Sequence, residues 1–155
     1  MTEPTYRYIE SDVEFAAALS RWRQHEVVGI DTEFIRTRTF FPIAALYQIA
    51  TEEEFAIVDP LRVSAWGEFK VLLEDASIVK VMHACSEDLE VFARHIGAKP
   101  ANLFDTQVAS AFLGSEFSPS YADLVKRYTG TQLDKHETRS DCLARPGAQK
   151  PRRYD

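Results

Sequence analysis

The residues of this chain best suited to chemistry are Asp31 and Glu33, two carboxylates set two positions apart in the run Val27-Val28-Gly29-Ile30-Asp31-Thr32-Glu33-Phe34. Side chains alternate across a strand, so Gly29, Asp31 and Glu33 share one face while Val28, Ile30, Thr32 and Phe34 share the other. The first face suits a cation and the second a core. Carboxylates a few ångströms apart raise one another's pKa unless a positive charge lies between them. Magnesium meets that need, being held by one or two carboxylates together with water and substrate phosphates. A strand that merely ends at a polar turn would carry the same pair, and these eight residues alone leave both readings open.

A second acidic group follows in His83-Ala84-Cys85-Ser86-Glu87-Asp88-Leu89. This stretch joins an apolar strand at 78–82 to a helix marked by Leu89, Phe92, Ala93 and Ile96 and ended by Gly97. Ser86 suits an N-cap, and Glu87 and Asp88 fall in the first turn, where unpaired amides favour negative charge for stability alone. Asp88 also adjoins the apolar stripe. It is therefore expected to point toward the sheet's edge, where the carboxyl end of a strand commonly opens on a crevice. His83 has two roles open to it, a substrate contact or a hydrogen-bonded structural histidine. Asp105 reads as an N-cap for a helix at 106–114. Cys85 lies near Asp88, but no histidine pairing supports a thiol nucleophile.

The scaffold that must position these groups is legible from periodicity. Val13, Phe15, Ala16, Leu19 and Trp22 predict an amphipathic helix over 12–24, capped by Ser11 or Asp12. Strands are expected at 27–34, 44–50 and 54–59, the last two joined by a tight turn at 51–53, which suggests an antiparallel meander. A helix through Trp66, Phe69, Leu72 and Leu73 follows, then the strand at 78–82, the helix after it and a short strand at 103–104. Helices alternating with strands after a meander indicate an α/β fold with a mixed sheet flanked by helices. The loop Arg36 to Pro42 carries two arginines and the pair Phe40-Phe41. Those residues either touch phosphates and stack on unpaired bases or plug the core before the Pro turn.

The 155 residues suit one domain, and 45% hydrophobic with 27% charged content is that of an ordinary globular protein. No apolar run nears the ~20 residues of a membrane span, and Met1-Thr2-Glu3-Pro4 does not read as a signal peptide; a cytoplasmic protein with no membrane partner, and a monomer, is expected. The net charge of −6 is unevenly placed: residues 126–155 hold eight Lys/Arg against four acids. An acidic metal pocket beside a phosphate-handling flank would have this pattern, and so would a solvated basic tail. Lys135 and Arg139 belong to that flank.

Taken together, Asp31-x-Glu33, His83-Ala84-x-x-x-Asp88 and Asp105-Thr106-Gln107 resemble the motifs of the DEDD 3′-to-5′ exonucleases, most closely the ribonuclease D family. Asp31-Thr32-Glu33-Phe34, Ile57-Val58-Asp59-Pro60, Ser86-Glu87-Asp88-Leu89-Glu90-Val91-Phe92, Leu133-Asp134-Lys135 and Leu143-Ala144-Arg145-Pro146 match it in order and spacing. The resemblance implies a ribonuclease H-like fold, an exonuclease domain over 1–146 and a divergent tail over 147–155. It implies metal-dependent hydrolysis at RNA 3′ ends, tRNA precursors being typical substrates. Two divalent ions, magnesium or manganese, are implied as cofactors: Asp31 bridging both, Glu33 on the water-activating ion and Asp88 on the second. Thr32, Phe34, His83 and Lys135 are candidate substrate contacts.

The third motif of that family is Tyr-x-x-x-Asp, and here the sequence departs. Tyr154 stands about where the tyrosine that orients the attacking water is expected, but the partner aspartate would fall beyond Asp155. Cys142 replaces the usual tryptophan, and Pro151 is liable to break the helix that should carry Tyr154. A C-terminally truncated or frameshifted form is the resulting expectation, with weak metal binding and little activity. A non-catalytic nucleic-acid-binding remnant is the alternative.

Overall fold

A computed structural model describes residues 6–37, 39–114 and 118–133. The strands are β1 (Arg7–Ile9), β2 (Val27–Ile35), β3 (Ile43–Ala50), β4 (Phe55–Val58), β5 (Val79–Met82) and β6 (Leu103–Asp105). The helices are α1 (Asp12–Trp22), α2 (Gly67–Glu74), α3 (Ser86–Val91), α4 (Thr106–Phe112) and α5 (Tyr121–Thr129), with a π-helical turn at Phe92–Ile96 continuing α3. The six strands form one mixed sheet in the order β1-β4-β3-β2-β5-β6. β2, β3 and β4 are the antiparallel meander, while β5 runs parallel to β2, β6 to β5 and β1 to β4.

Alternation in β2 decides which face is covered. Val28, Ile30 and Thr32 are buried, as are Tyr47 and Ile49 of β3 and Ala56 and Val58 of β4. These residues pack against Phe15, Leu19 and Trp22 of α1, Phe69, Leu72 and Leu73 of α2, Val91 of α3 and Phe92 just after it. Tyr47 lies at the centre, its ring 4.9 Å from Trp66 and 5.8 Å from Phe69. Gly29, Asp31 and Gln48 lie on the opposite face and line an open cleft.

Several local expectations are refined. α1 ends at Trp22, and its cap is Ser11, whose side chain accepts from the Glu14 amide. α3 begins at Ser86, so the capping position is Cys85, with no side-chain cap bond. Ser86 cannot cap because it is already helical. Gly97 does end the following turn, in the left-handed conformation with φ 69°. α4 stops at Phe112. β1 is too short to show alternation and was not expected, and neither was α5. The Phe40-Phe41 pair does not plug the core: Phe40 is 82% exposed, and Phe41 lies under the Arg94 guanidinium, 3.3 Å from the ring centroid.

Candidate active site

The site is built where the sheet runs out of strand. β5 pairs with β2 only as far as Gly29, opposite Val81. Beyond that point β2 continues alone on this side through Asp31, Thr32 and Glu33, and its amides need another partner. Asp88 supplies it. Its Oδ1 accepts from the Thr32 amide at 3.2 Å and from the Thr32 hydroxyl. Both bonds fall on Oδ1, so Thr32 leaves Oδ2 unengaged. A register shift between Glu33 and Phe34 follows at once, a bulge of the kind that re-aims side chains beside active sites. Arg36, just past β2, bonds Glu90 and lies 4.0 Å from Glu87, tying the strand's exit to α3.

The turn that presents Asp88 is held from β6. Ala84 adopts a left-handed conformation, φ 52°, that is unfavourable for a residue with a Cβ. Its amide and that of Cys85 both donate to the Asp105 carboxylate at 3.0 Å. The same carboxylate caps α4 by accepting from Gln107 and Val108. Asp105 is therefore the expected N-cap and also a brace for the β5–α3 turn. Burial works to raise its pKa, but the Cys85, Ala84 and Val108 amides and the Cys85 thiol together outweigh it and hold the carboxyl below its usual range. Burial and Asp105 push the Cys85 thiol up to about 12, which removes thiolate chemistry there.

The electrostatics converge on Asp31, which two neighbouring acids press upon. Asp31 is pushed up to about 6, first by burial, then by the charges of Asp88 and Glu33. Asp88, only 7% exposed, is raised by burial against the lowering effect of its Thr32 bonds. Among the described residues, no three His, Cys, Asp or Glu side chains are gathered tightly enough to enclose an ion. The donor set is nonetheless all hard carboxylate oxygen, the class magnesium and manganese take, and the mutual repulsion raising Asp31 is what a divalent cation relieves. The acids suit such an ion by donor type, though not by their present spacing.

Asp31 opens on a cleft of about 390 Å³. Gly29, Ile30, Gln48, Ala50, Phe55, Val81 and Met82 line its sheet side, and His83, Thr106 and Tyr121 its far wall. His83 thus stands in the same cleft as Asp31. Thr32 is buried with its hydroxyl on Asp88, and the ring of Phe34 is half-buried against the core. Lys135 and Tyr154 lie outside the described residues. Thr106, Tyr121 and Gln48 were not singled out by sequence; the box Ser120-x-x-Asp123, which caps α5 reciprocally, was the available signal for the element carrying Tyr121.

A mixed sheet in which acids from an interior strand and a helix start meet where the neighbouring strand stops is a frame suited to a nuclease domain. The family described as 3′-5′ exonuclease matches residues 6–154, and the chain belongs to that family. Within it, the resemblance is to ribonuclease D. Ribonuclease D of Pseudomonas paraeruginosa (strain PA7) is 46% identical over 154 residues, covering 99% of this chain and 41% of the relative. The crystal structure of Escherichia coli RNase D, described as an exoribonuclease involved in structured RNA processing, matches with a TM-score of 0.88 at 43% identity, over 92% of this chain and 38% of that one. The catalytic core of RRP6 from Trypanosoma brucei shares the fold, with a TM-score of 0.85 at 24% identity over 94% of this chain and 40% of that one. The chain spans about two fifths of the length of the curated relatives it matches. No described helix is long and apolar enough to cross a membrane.

Proposed function

We propose that this chain carries the catalytic domain of a divalent-metal-dependent 3′-5′ exoribonuclease that trims RNA 3′ ends, tRNA precursors among them, acting as a cytoplasmic monomer. The observation that carries the reading is the Asp88 carboxylate on Thr32, between Asp31 and Glu33 in the strand, with Asp31 raised by both neighbouring acids. Asp31, Glu33 and Asp88 would hold two magnesium or manganese ions. Such a pair supplies positive charge to the attacking water and to the leaving oxygen. Asp31 faces the cleft, so a cation held there would draw the scissile phosphate to its mouth. Thr32 keeps Asp88 in place, and the open sheet face beside Asp31 receives the terminal nucleotide. Tyr154 orients the attacking water, and Lys135 neutralises phosphate.

The test is digestion of a 3′-labelled single-stranded RNA with magnesium or manganese. Slow release of labelled 5′-mononucleotides that stops with chelator and in Asp31→Asn is expected. Binding of the RNA without metal-dependent release, or cleavage at internal positions, would overturn the reading.

A further inference from the structure

The protons in the far wall of the cleft can be counted. His83 Nδ1 lies 2.9 Å from the Thr106 hydroxyl oxygen, which lies 3.1 Å from the Met82 carbonyl oxygen. A carbonyl only accepts and a hydroxyl has one proton to give. The Thr106 proton therefore goes to Met82, and Thr106 accepts from Nδ1–H of His83. This fixes the tautomer, because a neutral imidazole protonated on Nδ1 carries its lone pair on Nε2. The ring is also held by Tyr121, edge-on with centroids 5.6 Å apart. His83 is thus an acceptor oriented by two neighbours, in the same cleft as Asp31.

We propose that His83 Nε2 accepts a hydrogen bond from a ribose hydroxyl of the 3′-terminal nucleotide and so makes the cleft read the sugar at the end of the chain. The proposal rests on the exonuclease reading above. A nucleotide held with its phosphate at Asp31 presents three kinds of donor: the 2′-hydroxyl, the 3′-hydroxyl and base N–H groups. Base donors differ from base to base, whereas every RNA 3′ end presents the two hydroxyls. A fixed acceptor that serves all ends must take a hydroxyl. The sheet side of the cleft offers the base mainly apolar contact, from Ala50, Phe55, Val81 and Met82, which is tolerant of base identity.

Two measurements test this. Nitrogen-15 NMR of the histidines in the 155-residue chain, with the ring neutral, should show His83 protonated on Nδ1 and bare on Nε2; the opposite tautomer overturns the proposal without reference to any substrate. Fluorescence anisotropy with calcium present then compares three 5′-labelled oligoribonucleotides ending in ribose, 2′-deoxyribose or 3′-deoxyribose. His83→Phe, which keeps a ring against Tyr121, should weaken binding of the ribose end about five- to tenfold. That loss should vanish on one of the two deoxy ends, which also identifies the hydroxyl. An equal loss on all three ends, or none, overturns the proposal. Failure of the exonuclease reading shows differently, as absence of metal-dependent 3′ release by the wild type in the digestion above, and removes this inference with it.

Discussion

Thr32 and Tyr47 are cross-strand partners in β2 and β3, and each is hydrogen-bonded to the same helical segment. Thr32 holds Asp88, and Tyr47 Oη lies 2.6 Å from His95 Nδ1. The two attachments are seven residues apart, roughly 10 Å along a helix. α3 and its π-helical extension are thus pinned to the sheet at both ends, and the site end carries the second acid. A π-helical turn inserts a residue into the helix and so resets which side chain faces the sheet; here that side chain is His95.

Thr32→Val keeps the shape of the side chain and the backbone donor but removes the hydroxyl from Asp88. A hydrogen bond to a buried charged group contributes about 2 kcal/mol. Urea denaturation should show a loss of that order, and manganese affinity should fall without any change in the residues that touch the ion. Unchanged stability would mean that Thr32 does not hold Asp88.

Asp31→Asn removes a charge that the fold disfavours. With its carboxyl raised to about 6 from an ordinary 3.8, the folded state takes up the proton first as pH falls. The penalty on the native state is therefore full above pH 6, shrinks as pH falls through 6, and is gone below 3.8. The residue as a whole is open to solvent although the protein partly desolvates its carboxyl, so the gain at pH 8 without metal is on the order of 1 kcal/mol after discounting for solvent screening. Thermal melts of wild type and variant should differ at pH 8 and converge toward pH 4.

His95 has the opposite sign. Burial lowers its pKa, so the unfolded chain protonates before the native one as pH falls below about 6.5. Stability from this group is fully present above that pH and declines below it. His95→Gln should lose part of the acid sensitivity between pH 6.5 and 5, read from urea midpoints across that range. Tyr47→Phe should cost about 1 kcal/mol at pH 8 by removing the part-buried hydrogen bond to the His95 ring.

Asp105→Ala deprives four amides of their acceptor, two of them in the strained Ala84 turn. Loss of the helix cap accounts for about 1 kcal/mol, and the orphaned Ala84 and Cys85 amides for about 1–3 more. The distinguishing result is chemical: Cys85 should become reactive toward a thiol reagent in the native state, because the turn that buries it has opened.

Much of this arrangement was legible in the sequence because β2 obeys strict alternation: the same period that buries Val28 and Ile30 must expose Asp31. Asp88 was legible through its position beside an apolar stripe. Its attachment to Thr32 was not, since that depends on how far β5 accompanies β2. β1, with three residues, offers too few positions for a period to show. Lys80 lies fully buried in β5, its ammonium on the Asp75 and Ile78 carbonyls, and nothing in a strand's pattern announces a lysine turned back onto its own turn. The tautomer of His83 is set by Thr106, from a different element, and enters only with the fold.

Asp31, Glu33 and Asp88 are proposed to hold divalent cations together. Manganese titrated calorimetrically into the 155-residue chain and into its Asp31→Asn and Asp88→Asn variants tests this most directly. Saturable binding by the wild type, weakened about tenfold or more by each substitution, is the predicted result. Equal binding by all three proteins would contradict it.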